Sequence, residues 1–177
     1  MLNEDGKIIV DSVFGSEFKL SKKFLAIYNK NGNGSVYTLD GNKVFSTNRA
    51  VKNILISNIR FTVMDAASET LTVYDVSGTE IKTFLDNKRA LISDGFLVLI
   101  SDLDTMTLYG DDLDSSITFD SGVKQIQISD EFAGYVDSYG TLHLYSRTSG
   151  EFPMISNIGN YSLTNSFVVV NDSFGLT

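Results

Sequence analysis

Apolar residues recur along this chain in short, dense runs set between small polar residues. Phe24-Leu25-Ala26-Ile27-Tyr28, Phe96-Leu97-Val98-Leu99-Ile100 and Phe167-Val168-Val169-Val170 are nearly continuous, rich in β-branched and aromatic side chains, and too short for helices. Such runs predict strands buried on both faces. Between them stand Asn31-Gly32-Asn33-Gly34, Asp40-Gly41, Ser77-Gly78, Ser138-Tyr139-Gly140 and Ser149-Gly150. These are hairpin turns, with Gly and Asn supplying the positive φ that tight turns need.

The pattern occurs five times, at a spacing of about 35–36 residues. Its marker is an apolar phrase ending in a hydroxyl: Phe18-Lys19-Leu20-Ser21, Ile54-Leu55-Ile56-Ser57, Ala90-Leu91-Ile92-Ser93, Ile126-Gln127-Ile128-Ser129 and Tyr161-Ser162-Leu163-Thr164. A Phe follows each hydroxyl (Phe24, Phe61, Phe96, Phe132, Phe167). A third strand then ends in Tyr37, Tyr74, Tyr109 or Tyr145. In the fourth repeat the strands are expected at Lys124–Ser129, Phe132–Asp137, Thr141–Arg147 and Glu151–Ser156. Four short antiparallel strands per repeat, apolar on both faces, make the blade of a β-propeller; a stacked β-solenoid ranks second.

The expectation is thus an all-β, five-bladed propeller in one domain, 1–177, with blades at 17–51, 52–88, 89–123 and 124–160. The fifth combines 161–177 with 1–16: Asn171-Asp172-Ser173-Phe174-Gly175-Leu176 parallels Asp137–Leu142, and Asp5–Val10 parallels Asp40–Phe45. Closure by both ends would spare the ring two open apolar faces.

The stretch Ile126–Glu151 resembles the WD-repeat family of propellers. It runs apolar-x-apolar-Ser, turn, short apolar strand, Asp–Gly turn, apolar-x-apolar-aromatic, then Ser-Gly. The Gly-His signature is missing, and Tyr74-Asp75 stands once where the family has Trp-Asp. The phrase Gly34–Gly41 is similar to quinone-binding propellers, without their Trp. The resemblance implies a fold and little about activity.

Composition narrows the functions. There is no cysteine, so disulfides, thiolate metal sites and cysteine nucleophiles are excluded. No secretory signal and no membrane-length apolar run is read, so a cytoplasmic, monomeric protein without membrane contact is expected. Net charge is −8, which disfavours phosphate backbones and hence direct nucleic-acid binding. The charge is uneven: residues 1–89 hold 12 Lys+Arg and 10 Asp+Glu, whereas 90–177 hold 2 and 12.

No catalytic constellation or cofactor motif is present, so no enzyme activity and no cofactor is expected. His143, the single histidine, occupies a strand slot filled by Thr72 and Thr107 in other repeats and reads as a polar strand residue. Asp102, Asp104, Asp111, Asp112 and Asp114 cluster around the third repeat, and Asp130 and Glu131 follow in the fourth. Their spacing does not fit a calcium loop. They read as an acidic patch for a protein partner with a basic surface. The function expected is a non-enzymatic adaptor, scaffold or inhibitor. A carbohydrate-binding propeller is the alternative, followed by a hydrolase or a nucleic-acid-mimicking inhibitor.

Overall fold

The computed structural model describes residues 15–119 and 122–172. The described residues form strands and turns, with no helix among them. The chain divides into two compact units, Met1–Asn87 and Lys88–Thr177.

In the first unit, β1 (Glu17–Leu20), β2 (Phe24–Tyr28), β3 (Gly32–Thr38), β4 (Lys43–Ile56), β5 (Arg60–Asp65), β6 (Leu71–Asp75) and β7 (Glu80–Phe84) pair antiparallel in sequence order as one seven-stranded sheet. A boundary between repeats is expected at 51/52, yet β4 runs through it for 14 residues. Its first half pairs with β3 and its second half with β5. At the later junctions a residue of positive φ breaks the strand: Asp86 (φ 59), Gly122 (φ 103) and Asn157 (φ 61). Asn48-Arg49-Ala50 holds no such residue, so the backbone stays extended from one repeat into the next.

The second unit begins with β8 (Asn87–Ile92), β9 (Leu97–Ser101), β10 (Met106–Tyr109) and β11 (Ser116–Phe119), a four-stranded sheet in the order β11-β10-β9-β8. Next come β12 (Lys124–Ile128), β13 (Phe132–Val136), β14 (Leu142–Ser146) and β15 (Gly150–Glu151), a second four-stranded sheet, and a pair, β16 (Ile158–Leu163) and β17 (Val168–Asp172). The fourth strand of the second sheet is shorter than the expected 151–156. Tyr145 pairs with Glu151 and Leu142 bridges Ile155, so one extra residue lies between the two pairings. Pro153 sits in that gap and has no N–H to give the ladder. The strands expected from residues 1–10 and 173–177 lie outside the described residues.

The second strand of each of the first four repeats is the buried one: β2 is buried throughout, and β5, β9 and β13 all but throughout. Two principal cores result. One packs Phe24, Val36, Ile54 and Phe61 with Phe45 and Tyr74; the other packs Phe96, Val98, Met106 and Leu108 with Tyr135 and Tyr145. Two of the repeated tyrosines are packing residues: Tyr74 stacks on Phe61 (centroids 5.1 Å, 14° between planes), and Tyr145 lies 5.6 Å from Phe119. The run at 167–170 departs from the buried pattern, with Phe167 63% and Val169 54% exposed.

The marker hydroxyl closes a tight hairpin five times. Its own N–H donates to the carbonyl three residues on, in Ser21–Phe24, Ser57–Arg60, Ser93–Phe96, Ser129–Phe132 and Thr164–Phe167. Its side-chain oxygen accepts from turn N–H groups, as Ser129 Oγ does from Phe132 at 3.0 Å and Thr164 Oγ1 from Phe167 at 3.0 Å.

Candidate functional site

Within each unit, the residue after the marker hydroxyl ties one repeat to the next. Lys22 N–H donates to Asn58 Oδ1 (3.0 Å), Asp94 N–H to Asp130 Oδ1 (3.0 Å) and Asp130 N–H to Asn165 Oδ1 (2.8 Å). Asn165 Nδ2 donates back to Asp130 Oδ2 at 2.9 Å. Asp130 is therefore held on both carboxylate oxygens. Asn58, Asp94 and Asn165 escaped the reading of the sequence as functional positions. Their signal is positional: four of the five residues after the hydroxyl are Asn or Asp.

The second unit gathers most of the expected acidic residues at one end of its strands. The turns after β8, β10, β12 and β14 lie at that end, since the strands alternate in direction. Arg147, in the turn after β14, donates from Nη2 to Asp111 Oδ2 at 2.5 Å. That bond and the Asp111 charge raise the guanidinium pKa, with Glu131 and Asp94 adding to them against slight burial. The Gly95 turn rests directly on Asp130: a Cβ there would stand 2.0 Å from the Asp130 carbonyl oxygen. Asp112 builds its own loop, accepting from the N–H groups of Asp114 (3.1 Å) and Ser115 (3.2 Å) and from Ser115 Oγ (2.9 Å). A groove of about 220 Å³ runs beside Arg147, walled by Phe96, Leu108, Ile117 and Tyr145 and rimmed by Asp111 and Glu151.

Asp102 and Asp104 are not part of this cluster. They precede β10 and the others follow it, so the strand's length, about 13 Å, separates them. Asp104 sits 3.5 Å from Lys88 Nζ. Among the described residues no group of three or more His, Asp or Glu side chains is arranged to hold a metal ion.

His143 is packed rather than merely accommodated. Its ring stacks on Tyr135 (centroids 4.5 Å, 1° between planes), and Nε2 lies 3.1 Å from Asp137 Oδ2. Burial pushes the Asp137 carboxyl up, but Thr141 N–H, His143 and Tyr139 N–H outweigh it and hold the pKa below its ordinary value. Burial, then the charges of Asp137 and Glu151, push the Tyr135 phenol up to about 12.

No protein-family model and no curated protein matches this sequence. Solved structures do match in shape. Hsv2 of Kluyveromyces lactis is 13% identical over 88% of this chain and 55% of its own (TM-score 0.54). BamB from Moraxella catarrhalis is 12% identical over 88% and 54% (TM-score 0.57), and the N-terminal domain of Nup159 is 11% identical over 81% and 45% (TM-score 0.53). The chain spans about half the length of these structures. They are β-propeller proteins, and the likeness shows the fold of this chain to be of the β-propeller type.

Proposed function

We propose that this protein is a non-catalytic interaction module, a five-bladed propeller that holds a basic segment of a protein partner on the acidic end of its second unit. The observation that carries this reading is the rim itself. Three carboxylates, Asp111, Glu131 and Asp94, act on a single guanidinium, Arg147, beside an apolar groove, and the carboxylate of Asp130 is held by the backbone of Asp94. One Arg leaves that rim with excess negative charge, and the groove offers a slot for an apolar anchor residue. Asp112 and Asp114 extend the acidic edge, while Asp102 and Asp104 form a separate patch at the opposite strand ends.

The test is capture of a defined lysine-rich peptide, followed by fluorescence anisotropy, with the variant Asp111→Asn/Asp112→Asn/Asp114→Asn. Asn keeps the Oδ1 acceptor on which the 112–115 loop depends. The melting temperature should stay within about 3 °C, the size of a surface effect of 1 kcal/mol. Affinity should fall about tenfold, since three rim charges are lost. Unchanged capture overturns the acidic-rim reading.

A further inference from the structure

The two units build one strand pair on the same register and fill it differently. In the second unit Tyr135 pairs with His143, and Asp137 and Thr141 close the turn beyond them. In the first unit the corresponding positions are Val63 paired with Thr72, and Asp65 and Thr70, which share the same turn hydrogen bond. Two stacked rings occupy the space in the second unit. Two small side chains leave it open in the first, where a cavity of about 320 Å³ lies between the early part of β4 and the β5–β6 pair.

The lining of that cavity is specific in kind. Phe45, Val51 and Val63 supply an apolar wall. Six hydroxyl-bearing residues line it: Ser46, Thr47, Ser68, Thr70, Thr72 and Tyr74. It has one cation and one carboxylate, Arg49 and Asp65. Arg49 forms no ion pair among the described residues; its charge is felt at both Asp65 and Tyr74. Asp65 Oδ1 accepts from Ala67 and Ser68 N–H, which keeps the carboxylate ionised and fixed in place. Asp137 meets the imidazole of His143, and the position of that imidazole holds Thr72 in the first unit.

From this we infer that the first unit binds a monosaccharide-sized sugar acid, its carboxylate on Arg49, its hydroxyls on the Ser/Thr ring and Asp65, and its apolar face toward Phe45. The volume is at the small end of ligand pockets, enough for one ring rather than a chain. Many hydroxyls suit a polyhydroxylated ligand, a lone guanidinium suits a single carboxylate, and an aromatic wall suits the C–H face of a pyranose.

Calorimetry on the full chain with D-glucuronate, glucose and glycine decides it. Glucuronate should bind, glucose about tenfold more weakly for want of the charged contact, and glycine not at all. Arg49→Gln, at an exposed strand position, should weaken glucuronate about tenfold and leave glucose unchanged. Val63→Tyr/Thr72→His, which copies the filled repeat, should abolish binding of both sugars with the circular dichroism spectrum preserved. If that pair fails to fold, Asp65→Asn should weaken both sugars. The inference is overturned by absence of heat with glucuronate, by equal binding of glucose or glycine, or by glucuronate binding that survives Arg49→Gln. The acidic rim belongs to the other unit, so the triple Asp→Asn variant should bind glucuronate as the parent does. Failure here leaves the interaction reading standing.

Discussion

Tyr161 concentrates hydrogen bonding on one oxygen: its single O–H is shared between the carbonyls of Gln125 and Gly134, and the oxygen accepts from Gln127 N–H at 3.0 Å. The side chain is 2% exposed, and burial pushes the phenol well above its ordinary pKa. Tyr161→Phe therefore leaves buried backbone groups without partners and should cost about 2 kcal/mol, read from urea unfolding. Two other groups tie the stability of the second unit to pH. A raised phenol such as Tyr135 contributes stability that is intact below its unfolded value of 10.0 and is lost as the pH rises toward about 12. A depressed carboxyl such as Asp137 does the reverse. Its contribution is present above the ordinary value of 3.8 and disappears as the pH falls below it. The unfolding free energy should therefore fall at both extremes. In Asp137→Asn the acid limb should flatten and the alkaline limb persist; an unchanged acid limb would show that Asp137 does not govern it.

At the level of elements, the link between repeats is a side chain from one hairpin turn bonded to the backbone of the preceding one. Asn165→Ala removes both bonds to Asp130, and these are solvent-exposed, so the expected loss is about 1 kcal/mol, or about 3 °C in melting temperature. Asn165→Asp should be worse, since a second carboxylate would face Asp130 at hydrogen-bond distance. The hairpins themselves were legible in the sequence because their chemistry is local: a hydroxyl, two or three turn residues, a Phe. The apolar runs gave the buried second strands for the same reason. What the pattern hid was non-local or negative. The continuity of β4 follows from the lack of a positive-φ residue at 48–50, and a missing break leaves no mark in a hydrophobicity pattern. The shortness of β15 follows from Pro153, whose effect depends on a partner strand. The acidic residues looked like one cluster because they are close in number; β10 runs between them and sets them at two ends. The cavity beside Thr72 is hidden in a comparison: the sequence alone aligns His143 with Thr72, but the paired change from Val63 to Tyr135 requires the strand register.

For the molecule as a whole, the charge sits in one half. Residues 1–87 carry 10 Lys+Arg and 10 Asp+Glu, while 88–177 carry 4 and 12, so the second unit holds the entire net charge of −8. A field of one sign attracts a cationic partner from a distance, and salt screens it with a length of about 10 Å at 0.1 M and about 3 Å at 1 M. Association of a lysine-rich peptide should therefore slow about tenfold between low salt and 0.5 M, with little change in dissociation. Steering and contact can be separated because the acidic residues occupy two ends. Asp102→Asn/Asp104→Asn and Asp111→Asn/Asp112→Asn remove the same charge from the same unit. If the field alone matters, both variants slow association alike and neither alters dissociation. If the peptide lies on the Arg147 rim, only the second variant also hastens dissociation, because only there does the peptide touch the carboxylates it loses. Stopped-flow measurements of the two variants at one ionic strength distinguish the cases, and equal dissociation rates would remove the rim as the contact surface.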